Sequence, residues 1–204
     1  MKKREIIFVR HAESKANAGE KTPDAHSIPL SEKGKVQAEE LAQHFPLKPK
    51  LIILSTFLRT KETAQPLIEK LDTVQIEIWD MIHEFTYLDR TRCKNTTMQE
   101  RKKYAENYWS KMDPWYKDGP EEENFFELLG RAEKFLEKIN LVKTNSIAIF
   151  SHGQFLTALK IVRPLDKKIE ELTKSEIQNL MNNFYRLQNE TPIKNTEIID
   201  FENI

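Results

Sequence analysis

Four-residue apolar blocks punctuate this chain, and two of them run straight into a histidine. Ile6-Ile7-Phe8-Val9 stops at Arg10-His11, and Ile147-Ala148-Ile149-Phe150 stops at Ser151-His152-Gly153. Unbroken apolar runs of this length fit strands buried on both faces. The expected strands are Glu5–Val9, Leu51–Leu54, Val74–Trp79, Ser146–Phe150 and Glu197–Phe201. Between them, apolar residues return at the i, i+3, i+4, i+7 spacing of helices with one buried face. Ala38, Leu41, Ala42 and Phe45 form one such face behind a candidate cap at Ser31. Ala64, Leu67, Ile68 and Leu71 form the next. Phe125, Leu128, Leu129 and Ala132 continue in register through Phe135, Leu136 and Ile139. Phe155, Ala158, Leu159 and Val162 follow His152, and Ile177, Leu180, Met181 and Phe184 follow a candidate cap at Ser175. Strands alternating with such helices predict a layered α/β fold with a mostly parallel sheet. Ligands of such sheets sit beyond the carboxyl ends of the strands. Two strands ending in His therefore point to one site with two imidazoles.

The rhythm breaks between about 85 and 123, a stretch rich in Tyr and Trp and in charges of both signs. One reading is a partly helical insertion that covers a pocket. The other is an amphipathic surface helix whose aromatics pack on the core.

Composition narrows the choices. At 204 residues, the chain fits a single domain spanning 1–204, with that insertion inside it. Lys+Arg and Asp+Glu are both 32, so no global field draws in nucleic acid or an anionic membrane. Any anion site must be a local arrangement of cations. The single cysteine, Cys93, allows no intrachain disulfide and fits a cytoplasmic setting. Met1-Lys2-Lys3-Arg4 resembles the basic start of a signal peptide, but the apolar run behind it is too short for one. No stretch reaches the length of a membrane span.

Four constellations carry chemistry. Arg10 offers a fork that pairs with phosphate or carboxylate, and the adjacent His11 can serve as base, ligand or nucleophile. Glu13, Ser14 and Asn17 follow, in a loop whose N–H groups and amide can hold an anion. Arg59 stands where the helix after Leu51–Leu54 begins, at a terminus that attracts anions. Ser151-His152-Gly153-Gln154 places an imidazole beside a glycine that lets backbone approach a ligand. Glu84 sits among apolar neighbours, a setting that favours the protonated carboxyl a general acid needs. Each has a plainer reading: a strand-end His in a turn, a surface Arg, a capping His, a solvated Glu.

Their order and spacing together resemble the histidine phosphatase superfamily, also called phosphoglycerate-mutase-like. The leading Arg-His-Gly-Glu-Ser motif with a later Asn reads Arg10-His11-Ala12-Glu13-Ser14 with Asn17. Pro29-Leu30-Ser31, Gly34 and Gln37-Ala38 match the next motif, and Ser55, Arg59-Thr60 and Thr63-Ala64 the one after. Glu84, Ser151-His152-Gly153 and Asn195 complete the set. Ala12 replaces the usual Gly, which matters only if that position needs positive φ. The insertion matches no single subfamily pattern. The resemblance spans about Arg4 to Phe201.

The resemblance implies a three-layer α/β/α fold, with the insertion over the active site. It implies a phosphoric monoester hydrolase acting on a small phosphorylated metabolite. His11 would attack phosphorus, with Glu84 as proton donor and His152 assisting. Arg10, Asn17 and Arg59 would bind the phosphoryl group, with Ser14, Gly153 and Gln154 beside it. No cofactor or metal is expected. A zinc reading of His11 and His152 lacks a third ligand at a recognisable spacing. Two further readings are a phosphoglycerate mutase-type phosphotransferase, with Arg90, Arg92, Lys94 and Arg101-Lys102-Lys103 as candidates for a second acidic group, and a non-catalytic phosphoester-binding module. Oligomeric state is left open.

Overall fold

The computed structural model describes residues 4–204. Met1, Lys2 and Lys3, the basic start weighed as a signal peptide, lie outside the described residues. The sheet has five strands: β1 (Glu5–Arg10), β2 (Leu51–Leu54), β3 (Gln75–Ile78), β4 (Ser146–Ser151) and β5 (Ile198–Asp200), in the order β3-β2-β4-β1-β5. All pairings are parallel except β5 on β1. The outer strands are shorter than expected. β3 is an edge strand with exposed side chains, and Trp79 beyond it turns into the core.

Alternation along each strand sends neighbouring side chains to opposite faces. Ile7, Val9, Ile52, Leu54, Ala148 and Phe150 meet Leu41 and Ala42 of α1 (Glu32–Gln43) and Ala64 and Leu67 of α2 (Leu58–Glu69). Ile6, Phe8, Leu51, Ile53, Ile147 and Ile149 meet the other layer. That layer comprises α5 (Phe125–Leu141), α6 (Gly153–Val162) and α7 (Lys174–Glu190). The result is a three-layer α/β/α sandwich. α1 is capped at Ser31, as expected, whereas the cap of α7 is Thr173 rather than Ser175.

The insertion carries α3 (Arg90–Cys93) and α4 (Met98–Lys111). Tyr108 and Trp109 of α4 are buried against Phe85, Phe125 and Phe184, so these aromatics belong to the core. The opposite side of the insertion roofs a cleft: Thr96 pairs with Thr22 of the loop after β1, and Arg101 donates to both threonines.

The position of the cleft follows from the topology. β1 and β4 are neighbours, with Arg10 beside Ser151. The chain leaves β1 toward α1 on one face and leaves β4 toward α6 on the other. Adjacent strands whose continuations diverge open a crevice at their carboxyl ends, and His11 and His152 are the first residues into it.

Candidate active site

The two imidazoles meet with ring centroids 5.2 Å apart, and both rings are buried. His11 Nδ1 lies 2.7 Å from the carbonyl oxygen of Ala12. A carbonyl only accepts, so Nδ1 carries the hydrogen and Nε2 keeps a lone pair. Arg59 donates from Nε to that lone pair at 3.0 Å. The backbone carbonyl of His11 is itself held by Asn195 Nδ2 at 2.8 Å.

His152 uses the opposite tautomer. Its Nε2 lies 2.9 Å from Ser55 Oγ, which accepts from the backbone N–H of Phe57 at 3.2 Å. The Ser55 hydroxyl hydrogen finds no other acceptor among the described residues, so we assign it to Nε2, which leaves the ring hydrogen on Nδ1, a buried atom without a partner among those residues. A buried unpaired donor is costly, and an incoming anion would satisfy it.

Both rings are held neutral. The His11 pKa lies well below the ordinary histidine value because burial disfavours the charged ring, with Arg59 and Arg10 adding repulsion. His152 is lowered in the same way, by burial first and then by Arg59 and His11. Burial also lowers Arg10, and it takes Arg59 down to about 10, which still leaves both guanidiniums charged at neutral pH. Arg10 has an unpartnered buried Nε and rests against Gly153, where an added Cβ would stand 3.4 Å from that nitrogen. Its Nη1 is anchored on the Ile193 carbonyl.

The loop after β1 works differently from the sequence expectation. Its N–H groups from His11 to Lys15 are already engaged and cannot cradle an anion. His11 N–H bonds Ser151, Ala12 N–H bonds Thr63 Oγ1, Glu13 N–H bonds Gln37, Ser14 N–H bonds Asn17 Oδ1 and Lys15 N–H bonds Pro29. What remains is the Asn17 amide. Its Oδ1 accepts from Ser14 Oγ at 3.0 Å and Asn195 Nδ2 at 3.4 Å, so its NH2 is turned toward the cleft. Ala12 is not among the positive-φ residues, and the missing glycine is accommodated.

Glu84 also departs from its expected surroundings. Oε1 accepts three backbone N–H groups: Phe85 at 3.0 Å, Gln154 at 3.1 Å and Phe155 at 3.2 Å. Two of these are the free donors of the α6 N-terminus. Oε2 has only a 3.5 Å approach to Gln154 N and is the oxygen left for chemistry. Gln154 thus contributes its backbone, while its side chain bonds Gln188.

Arg10, His11, Ser14, Asn17, Arg59, Glu84, Gly153 and Gln154 all line one cleft of about 1330 Å³, with His152 behind it. That volume exceeds what one phosphoryl group fills. Among the described residues, no three His, Cys, Asp or Glu side chains gather as a metal site requires. The His11 lone pair faces a guanidinium, a poor setting for a metal cation. Ser55 and Thr63 fall within the motifs, but their roles become visible only here. Arg131 and Glu123 lie outside every motif.

A model of the histidine phosphatase superfamily (branch 1) matches residues 6–195, and the chain belongs to that family. A Bacillus subtilis (strain 168) protein described as the uncharacterized phosphatase PhoE is 28% identical over 157 residues, 76% of this chain and 74% of that protein. The alpha-ribazole phosphatase of Shigella flexneri superposes with a TM-score of 0.70 at 19% identity, covering 96% of this chain and 89% of that one. A phosphoserine phosphatase of Entamoeba histolytica, in complex with 3-phosphoglyceric acid, gives 0.66 at 19% identity over 96% and 89%. At such identities the structural matches establish the shared fold.

Proposed function

We propose that this protein is a metal-independent phosphomonoesterase, working through a phosphohistidine on a small phosphorylated metabolite. The observation that carries this reading is the state of His11. Its ring is neutral, its tautomer is fixed by Ala12, and its Nε2 lone pair meets the Arg59 guanidinium, with Arg10 near enough to repel a charged ring and the His152 ring 5.2 Å away.

In this reading, Arg10, Arg59, His152 and Asn17 bind the phosphoryl oxygens. Nε2 attacks phosphorus in line, and the N–P bond forms as the bond to the ester oxygen breaks. Glu84 Oε2 gives its proton to the leaving alkoxide, then takes one from the water that cleaves the phosphohistidine. Fixed positive groups around the equatorial oxygens supply most of the acceleration. They do the work that a metal ion does in other phosphatases, so activity should persist in excess chelator.

Hydrolysis is favoured over a mutase reaction by the roof of the cleft. Arg90 is paired with Glu122 and Glu121, and Arg92 with Asp118. Arg101 holds Thr22 and Thr96. These three arginines are therefore engaged rather than waiting for a second acidic group; of the lysines weighed with them, Lys102 is paired with Glu106 and Lys94 lines the cleft. A cytoplasmic setting is part of the proposal. No helix of the described residues is long and apolar enough to cross a membrane.

The test is a panel of phosphorylated metabolites assayed for phosphate release, with His11→Ala as control and phosphoglycerate isomerisation measured in parallel. Phosphate release that His11→Ala abolishes supports the proposal. Isomerisation without net phosphate release would favour the mutase, and binding without either product would favour the non-catalytic module.

A further inference from the structure

Glu84 is delivered by a segment that belongs to no sheet. After β3 the chain makes a single 3-10 turn, Asp80–Ile82, and then runs extended through His83. Its carbonyls have no ladder partners, yet buried carbonyls need donors. Side chains from elsewhere supply them. Ser151 Oγ donates to the Ile82 carbonyl at 2.8 Å. Arg131, from α5, donates from Nη1 to Met81 at 2.9 Å and to His83 at 2.8 Å. Three consecutive carbonyls immediately before Glu84 are thereby fixed, two of them by one guanidinium nitrogen.

Arg131 is in turn held rigidly. Its Nε and Nη2 meet the two carboxylate oxygens of Glu123 at 2.7 Å each, a bidentate pair with both side chains only 12% exposed. The fork makes such a pair directional as well as charged. Phe155, whose N–H holds Glu84 Oε1, lies under the guanidinium, with Arg131 Cζ 5.0 Å from the ring centroid. Glu123 N–H bonds the Thr86 carbonyl at 3.2 Å on the far side of Glu84. The Arg131–Glu123 pair therefore grips the Glu84 segment on both sides and touches the element that orients its carboxylate.

We propose that Arg131, locked by Glu123, is the positioning residue for the proton donor Glu84. It sets the carboxyl relative to the leaving-group oxygen without touching substrate. This inference rests on the reading of Glu84 as the general acid. A misplaced acid costs most where the leaving group is basic and needs its proton, and least where it departs unaided.

The experiment measures kcat/KM, which reports the first phosphoryl transfer, for p-nitrophenyl phosphate and for a simple alkyl phosphate such as glycerol phosphate. The proteins are wild type, Glu84→Gln, Arg131→Met, Arg131→Lys and Glu123→Gln. Arg131→Met should lose about 10- to 100-fold on the alkyl ester and less than about 3-fold on the aryl ester. Arg131→Lys should fall between, because an ammonium cannot fork to Glu123 and still reach both carbonyls. Glu123→Gln should reproduce the selective loss more weakly, and it serves as the test if Arg131→Met does not fold. Equal losses on both esters in these variants, or no loss, would overturn the positioning role. If Glu84→Gln itself shows no preference between the esters, it is the general-acid reading that fails, independently of the Arg131 result.

Discussion

Arg59 Nε rests 3.0 Å from Nε2 of His11, so the guanidinium occupies the lone pair that attacks phosphorus in the proposed reaction. When a phosphoryl group enters, that donor must pass from the imidazole to a phosphoryl oxygen. Arg59 is pre-positioned for this by its bond to the Ala25 carbonyl at 2.8 Å and by packing over Phe57. Arg59→Ala should lower kcat/KM for p-nitrophenyl phosphate by about 100-fold or more. Arg59→Lys should recover little, because lysine has no fork. Losses under 3-fold for both variants would remove Arg59 from the site.

Ser55→Ala tests the tautomer of His152. Without the hydroxyl, Nε2 loses its donor and the ring can place its proton there, turning a lone pair toward the anion. Activity should fall about 10- to 100-fold, and stability by about 1–3 kcal/mol for the buried group left unpaired. A variant with wild-type kcat/KM would show that His152 does not donate through Nδ1.

Stability should fall with acidity below neutral pH. His11 and His152 titrate well below the ordinary histidine value in the folded chain, as burial dictates, and His83 is lowered as well. Unfolded, each would titrate near about 6.5. Between that value and the lower folded values, the unfolded chain binds more protons, so falling pH favours it. The contribution is complete above about 6.5 and declines below it, by at most about 1.4 kcal/mol per pH unit for each ring. Urea midpoints measured from pH 7.5 to 5 should drop; a flat profile would contradict the buried neutral rings.

Gly34 fixes the loop that carries Asn17. A Cβ at Gly34 would lie 1.9 Å from the Glu13 carbonyl oxygen, a contact that backbone must yield to admit. Alanine in a helix normally gains about 1 kcal/mol over glycine. Here the clash reverses the sign, and Gly34→Ala should destabilise by about 2 kcal/mol or more in urea unfolding. KM should also rise as the loop shifts. A stabilised variant would mean the α1–loop contact is looser than described.

Much of this architecture is legible in the sequence because its signals are local. β1, β2 and β4 are short apolar blocks, and the faces of α1, α2, α5, α6 and α7 show as periodic spacing. Arg10, His11, Arg59 and His152 stand at element ends, where sheet topology converges them, and Glu84 follows the 3-10 turn after β3. What escapes is non-local. Glu84 looks surrounded by apolar residues, yet Ile82 and Phe85 turn into the core while its carboxylate meets N–H groups seventy positions away. The N–H groups of the loop after β1 look available until Thr63 and Gln37 arrive from other elements. Of the insertion's aromatics, Tyr108 and Trp109 of α4 are core residues, whereas Tyr87, from the segment before α3, packs on both of them and also lines the cleft. Arg131 belongs to no motif, and only the path of the Glu84 segment gives it meaning.

In the proposed reaction, His11 Nε2 becomes covalently phosphorylated. The most direct measurement is rapid quench with phosphorus-labelled substrate, followed by mapping of the protein-bound label. Label should appear on His11, stable in alkali and released by acid, formed within one turnover and absent from His11→Ala. Steady phosphate release with no label at His11, or labelling that survives in His11→Ala, would contradict the proposed reaction.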